Sequence, residues 1–529
     1  MRKADGGRRT SDLGRQTADL GPRTSGVWIF RRRLRSEVRR PQSEFRRLMF
    51  AVGFTLLFSG CAVGPRYAKP TASAPANYKE VPPDWKTAQP SDQIARGKWW
   101  EIYQDPQLNA LEEQINVSNE NLKAAEAQFR QARALVRFNR AAYYPTVTAG
   151  ASAAREHLSS HRPLVPTSTK TDGTDLVIPV DVSYEADVFG RVRHTVEAAR
   201  AGAQASAADL EAVRLSLHAE LALDYFAMRT LDAEEQLLKS NVTSFEKALE
   251  LTQSRYHGGV ASAVDVAQAQ TQLENTRTQA IDVLIQRSQN EHAIATLIGQ
   301  PASTFVAPAA AWNLPPPDIP PGLPSELLER RPDIAAAERR VAAANAQVGV
   351  ARAAYFPIFT LTGSGGFEST AITTLIQGPS GFLTAGAAAA VTAFDAGRRR
   401  AVSEQAKAAY DESVANYRQT VLTAFQEVED SLAVLRILND EAMAQQAAVA
   451  AAEHSLELSS NRYKGGVVSY LEVTTAQSTA LADERAAVDI LRRRMTASVS
   501  LIKALGGGWN AANLPMVKAD SHPQTAAGQ

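Results

Sequence analysis

Val421-Leu-Thr-Ala-Phe-Gln-Glu-Val-Glu-Asp-Ser-Leu-Ala-Val-Leu435 lies at the centre of a run, residues 398–463, that contains no proline and no glycine and is dense in Ala, Glu, Gln, Arg and Leu. That composition predicts one unbroken helix. At a rise of about 1.5 Å per residue the run makes a rod of roughly 100 Å, several times the width of a small domain. Within it Val421, Phe425, Val428, Leu432 and Leu435 step by four, three, four and three. This is the seam of a coiled coil and not the broad stripe of a globular helix. The rod must therefore lie along other helices of similar length.

Residues 191–256 repeat the pattern at an offset of about 207, with Gly202 as the one interruption. The two copies match piece by piece. Arg140-Ala-Ala-Tyr-Tyr-Pro145 returns as Arg352-Ala-Ala-Tyr-Phe-Pro357, and Phe189-Gly190-Arg191 has its counterpart in Phe394 with Gly397-Arg398. Arg255-Tyr-His-Gly-Gly-Val260, followed by Ser262 and Asp265, returns as Arg462-Tyr-Lys-Gly-Gly-Val467, followed by Ser469 and Glu472. The chain is a tandem duplication, so two similar halves replace the three or four independent domains that 529 residues would otherwise imply.

A net charge of +1 excludes a strongly basic nucleic-acid binder and points to no acidic partner. One cysteine, Cys61, leaves no disulfide framework and no thiolate metal site within the chain. Its surroundings are more informative. Leu48 to Phe58 are apolar, Arg46-Arg47 precede them and Ser59-Gly60 follow. The run is too short to span a bilayer and fits the apolar core of a signal peptide at 46–60, cleaved before a cysteine that takes a lipid. Residues 1–45, rich in Arg, Gly, Ser and Thr, are expected to be disordered, with translation starting further in, near Val38 or Met49.

Downstream, residues 61–98 read as a Pro-rich extended linker and 99–300 as the first repeat. Residues 301–324 form a Pro-rich segment strapped around the helices, 325–508 the second repeat, and 509–529 a disordered tail. Each repeat holds a β-hairpin, 145–185 or 357–394, followed by a long helix hairpin, 190–299 or 397–506. Four strands of about ten residues have the length needed to cross a bilayer at a tilt. Four strands cannot close, and open edges are not tolerated in lipid, so other copies of the chain must complete the sheet. Two copies would give eight strands and three would give twelve; the larger barrel leaves a useful water-filled lumen. The fold class is thus mostly α with a small β part.

These residues resemble the outer-membrane efflux channels of the TolC and OprM type, most closely their NodT-like lipoprotein subgroup. The resemblance covers residues 61–508. It rests on Gly60-Cys61-Ala-Val-Gly-Pro65, on Trp99-Trp100 with Tyr103 and Asp105-Pro106, and on the paired Ala-Ala-Tyr-aromatic-Pro and Arg-Tyr-x-Gly-Gly-Val motifs. It implies a homotrimer with a twelve-stranded outer-membrane barrel, a periplasmic α-barrel, lipidation at Cys61, and partners in a periplasmic adaptor and an inner-membrane pump of the RND class. Cargo would be drugs, dyes or other small toxic compounds.

The resemblance places the glycine turns at the periplasmic tip, where Gly258, Gly259 and Val260 and their counterparts Gly465, Gly466 and Val467 would contact the adaptor. Bare backbone and one small side chain allow another helix pair to approach closely. Asp265 and Glu472 follow those turns, so symmetry copies would ring the pore mouth with carboxylates that favour cations and repel one another. Tyr463 and Asp265 match a tyrosine–aspartate–arginine latch, although Val468 stands in the arginine position. A solvated charged helix face is the bland alternative. No enzyme is expected: the eight histidines have no metal-ligand spacing, and nothing requires a cofactor. Two rivals remain at this level, the exit duct of a type I protein-secretion system and a non-channel periplasmic scaffold or adaptor.

Overall fold

The structure, a computed structural model, describes residues 63–72, 74–80, 97–157, 159, 172–312, 314–319 and 324–514. The expected disordered extension, signal peptide, Cys61 and most of the tail lie outside the described residues. Most of the described residues are helical, and among them there is one small sheet.

A 3-10 turn at Trp99–Tyr103 leads into α1 (Pro106–Ser118) and α2 (Glu120–Ala141). Asp105 starts α1 by accepting the N–H groups of Gln107 and Leu108 at 2.8 and 3.1 Å, with Pro106 at the position where its missing N–H costs nothing. Sequence periodicity predicts one helix from Leu108 to about Ala142, but Asn119 divides it. This residue is buried in an extended conformation, caps α2 at the Leu122 N–H and donates its amide to the Leu297 carbonyl at 2.7 Å. A tertiary hydrogen bond there outweighs helix continuity.

The sheet runs β1 (Thr146–Ala149) and β2 (Ser152–His157), then β3 (Asp172–Ala186), β4 (Ile358–Ser369) and β5 (Gly381–Ala390). Its spatial order is β1/β2, β3, β4, β5, antiparallel throughout. β1 and β2 are one strand in two pieces, because Thr146↔Ser183 and Ser152↔Val177 belong to the same register against β3. The break falls where Gly150 donates to the Pro179 carbonyl at 3.0 Å. Pro179 has no N–H to return, so the ladder loses one bond. Four strand paths therefore cross the sheet, two from each repeat, and β1/β2 and β5 form its outer edges. Most side chains of β1, β2 and β5 are exposed on both faces.

α3 (Arg191–His257) and α7 (Arg398–Lys464) are 67 residues each. Both begin at a left-handed glycine, Gly190 with φ 83° and Gly397 with φ 88°, which turns the chain out of the sheet. The carboxylate of Asp187 accepts the Val192 and Arg193 N–H groups at the start of α3, and that of Asp395 accepts those of Gly397 and Arg399 at the start of α7. Gly202 does not interrupt α3. α4 (Ala263–Leu297) and α8 (Tyr470–Ala504), 35 residues each, return along their partners. The second repeat opens with α5 (Pro324–Arg330) and α6 (Pro332–Ala353). Val421, Phe425, Val428 and Leu432 are buried and belong to the main core together with Trp99, Tyr103, Ile115, Phe226 and Val499. Each such side chain contributes roughly 1.5–3 kcal/mol. Smaller clusters continue along the hairpins, around Leu238 and Phe245 and then around Tyr463 and Tyr470.

Two extended segments strap this bundle. Residues 307–312 lie against α3 and α4, where Asp232 accepts the Ala310 N–H and Arg229 and Arg287 donate to the Pro308 and Ala307 carbonyls. The N-terminal segment, which sequence reads as a linker, is docked as well. Val63 donates to the Phe189 carbonyl, Tyr78 is buried, and Glu429 accepts the Lys79 and Glu80 N–H groups while Arg436 pairs with Glu80. Its prolines predict extended backbone; the tyrosines and Glu80 between them give it a surface to bind. Among the described residues no helix is long and apolar enough to cross a membrane.

Candidate functional site

The two helix turns have the same backbone. In the first, Gly259 donates to the Tyr256 carbonyl at 2.9 Å and Val260 to that of Arg255 at 2.8 Å; in the second, Gly466 donates to Tyr463 and Val467 to Arg462, both at 2.9 Å. Both are Schellman motifs, in which a left-handed residue satisfies the last helical carbonyls. Gly259 has φ 74° and Gly466 φ 72°, conformations that cost an L side chain roughly 1–2 kcal/mol. A Cβ at Gly259 would meet nothing within 4 Å, so this turn has open space around it. Val260 and Val467 are 68% and 70% exposed, and they present an apolar group beside bare backbone.

Asp265 is tied into its own hairpin. Its carboxylate accepts the Ser262 N–H at 2.9 Å while its own N–H reaches the Ser262 hydroxyl, which makes a capping box at the start of α4. The same carboxylate accepts the Tyr470 N–H at 3.4 Å and so joins the two turns. Glu472 pairs with Arg462 at 2.7 Å, both partly solvated. Tyr463 is buried edge-on to Tyr470, ring centroids 5.2 Å apart, and its hydroxyl finds no hydrogen-bond partner among the described residues. Such an orphan costs about 1–3 kcal/mol. Val468 is half-buried against this cluster.

Two residues beyond the sequence expectation complete the site. Arg255 donates to the Lys464 carbonyl at 2.9 Å and lies 4.8 Å over the Tyr463 ring. It thus supplies an arginine beside Tyr463 although Val468 does not. Tyr470 is buried, which pushes its phenol up to about 12 and keeps it neutral. Arg255 stands in the repeated Arg-Tyr-x-Gly-Gly-Val motif, so its recurrence is a signal; Tyr470 has Ala263 as its counterpart and carries none. The arrangement can hold two helical hairpins together at their ends and offer glycine-lined surface to a partner. Among the described residues no three His, Cys, Asp or Glu side chains are gathered in a way that could hold a metal ion.

Comparison with known proteins agrees with this geometry. The family model described as "Outer membrane efflux protein" matches residues 111–300 and 323–507, one segment in each repeat. The chain is 34% identical over 474 residues to outer membrane protein OprJ of Pseudomonas aeruginosa, covering 87% of this chain and 95% of the relative. It is 32% identical over 465 residues to the toluene efflux pump outer membrane protein TtgF of Pseudomonas putida, covering 87% and 96%. The solved structure of the outer-membrane channel OprN superposes with a TM-score of 0.79 at 30% identity, over 85% of this chain and 100% of that one. By its repeats, its fold and these relatives, the chain belongs to the outer membrane efflux protein family.

Proposed function

We propose that the chain is the outer-membrane exit duct of a tripartite efflux system, through which small toxic compounds or drugs pass passively to the exterior. One observation carries this reading: a four-path sheet, largely exposed and with two unpaired edges, continues directly into helices of 67 residues. Three copies would join edge to edge into twelve strands that cross the outer membrane, with the helix hairpins closing below as a periplasmic barrel. Relatives named as outer membrane proteins of toluene and solvent efflux pumps support the direction of transport and the class of cargo.

In this reading Gly258, Gly259 and Val260, with Gly465, Gly466 and Val467, receive the hairpins of a periplasmic adaptor, which connects the duct to an inner-membrane pump of the RND class. Asp265, Tyr463 and Glu472 recur around the mouth and control its width. Cys61 carries the lipid anchor. Its support is the position of Val63, two residues on, which is bonded to Phe189 just past the end of β3. A lipid there would enter the membrane beside the barrel.

The test is planar-bilayer conductance of purified protein, with its mass measured in detergent. A three-chain particle with discrete conductance is expected. A lone protomer that conducts nothing would overturn the reading.

A further inference from the structure

A cavity of about 660 Å³ lies where the Trp99–Tyr103 turn and α1 meet α3 and the glycines that follow α8. This is the size of a small-molecule site. Gly506, Gly507 and Gly508 form one side of it with φ of 93°, 57° and 82°, a run that L side chains do not follow without strain. The cavity is remote from the two turns, since Arg214 in its wall and His257 at the end of α3 are separated by roughly 65 Å of helix.

The inner wall is a buried polar relay. His218 stacks on Trp100, ring centroids 4.5 Å apart, and its Nδ1 lies 2.6 Å from the Glu112 carboxyl. Both side chains are buried, Glu112 completely. Burial raises Glu112 well above the usual carboxylate range and lowers His218 to about 4, so near neutral pH the pair shares one proton and carries no net charge. The Glu112 hydroxyl then donates to Nδ1, and the His218 Nε2–H donates to the Asn116 side-chain oxygen at 3.4 Å. The relay ends at the Asn116 amide nitrogen, a donor with no partner among the described residues. Arg214 gives Nη1 to Glu211 at 2.6 Å, while its Nε and Nη2 find no partner there. Lys98 pairs with Glu113 and keeps two further donors. Two cations and one carboxylate, Glu211, thus line the cavity, and most of the unused groups are donors.

The second repeat shows that this polar set is not needed for packing. At the offset of 207, Arg214 and His218 fall on Val421 and Phe425; at the offset of the paired Arg140 and Arg352 motifs, Glu112 and Asn116 fall on Pro324 and Leu328. Val421 and Phe425 are buried, and Leu328 packs against the same core. Apolar side chains suffice there to seat a short helix on a long one. In the first repeat the polar set carries a cost as well, because the second Glu112 oxygen and the Trp100 Nε1 are buried with no partner among the described residues.

We propose that this cavity binds a small organic anion with a flat apolar body, its charged head held by Arg214, Asn116 and Lys98 and its body against Leu215 and Trp509. An anion answers the unused donors with charge-assisted hydrogen bonds. A cation would meet two like charges and one carboxylate. The ligand sits apart from both the turns and the sheet, on the helix that joins them.

The experiment measures binding of naphthoate to the full chain in detergent by equilibrium dialysis, beside uncharged naphthamide and cationic naphthylmethylammonium. One naphthoate per chain is expected, held about tenfold more tightly than the amide, with no saturable binding of the cation. Arg214→Gln should weaken naphthoate about tenfold and leave naphthamide unchanged. Ala512→Trp, at the exposed edge of the cavity, should abolish both. Lys98→Met, on a half-exposed side chain, replaces Arg214→Gln where that variant fails to fold. Absence of saturable naphthoate binding, equal binding of the three probes, or binding unchanged by the substitutions overturns the anion site. Binding that appears only after residues 515–529 are removed assigns the cavity to the chain's own tail and overturns it too.

Discussion

Arg255 and Arg462 occupy the same place in their repeats, three residues before a Schellman turn, and they have different partners. Arg255 crosses to the other repeat, donating to the Lys464 carbonyl and covering Tyr463. Arg462 stays within its own hairpin and pairs with Glu472. The tyrosines that follow divide in the same way, since Tyr256 is 45% exposed and Tyr463 is 5% exposed. Duplication supplied two equal backbones; the side chains have since made the first turn a donor and the second a receiver. Equal backbones should give equal effects on mutation, and unequal side chains unequal ones.

The largest effect is expected at the glycines. Gly259→Val and Gly466→Val each impose roughly 1–2 kcal/mol of left-handed strain on a surface proposed to bind the adaptor. Each should weaken adaptor binding about tenfold, measured with purified adaptor, while conductance is unchanged. Because the two φ angles agree within 2° (74° against 72°), a large difference between the variants would break the symmetry argument. Next, Arg255→Ala removes a solvent-exposed hydrogen bond of about 0.5–1.5 kcal/mol, and Arg462→Ala an exposed pair of about 0–1 kcal/mol. Hydrogen exchange at Lys464–Val467 should accelerate markedly in the first and barely in the second.

Asp265→Ala should cost the start of α4 about 1 kcal/mol through its lost capping box. Glu472→Ala should cost α8 less, because Ser469 makes no side-chain cap there. Exchange at the first turn of each helix measures both. The smallest effect appears only in alkali. Burial raises Tyr470 from 10.0 to about 12, so its contribution is complete below pH 10 and is lost as pH rises from 10 towards 12. Tyr470→Phe should remove that alkaline loosening of the second turn, followed by exchange or by tip-specific fluorescence. Ala263, its counterpart, has nothing to titrate.

Features that depend on local chemistry or on periodicity are legible in the sequence. The junction glycines, both turns and the 421–435 seam need no distant partner to be read. Features set by a partner far along the chain are not. Arg255 and Lys464 are 209 residues apart, and nothing in either motif tells a cross-repeat arginine from an in-hairpin one. Asn119 looks like one more polar residue on a helix until its hydrogen bond to Leu297 is seen. The N-terminal segment misleads for the same reason, since its prolines announce extended chain while Tyr78 and Glu80 decide that the chain is bound. At Asp265 the sequence suggests a pore charge, and the structure adds a helix cap. Within one protomer the carboxylate already serves as the cap.

The matched helix lengths have a consequence for how such a molecule can change size. α3 and α7 have 67 residues each and α4 and α8 have 35 each. The two turns also touch through Arg255 and the Lys464 carbonyl, so in the proposed duct a rim built from them would be flat. Deleting two helical turns from one hairpin alone would leave one tooth about 10 Å short and a partner would rock on it. In the proposed duct, a change of length that kept such a rim flat would have to come in matched steps, once in each half.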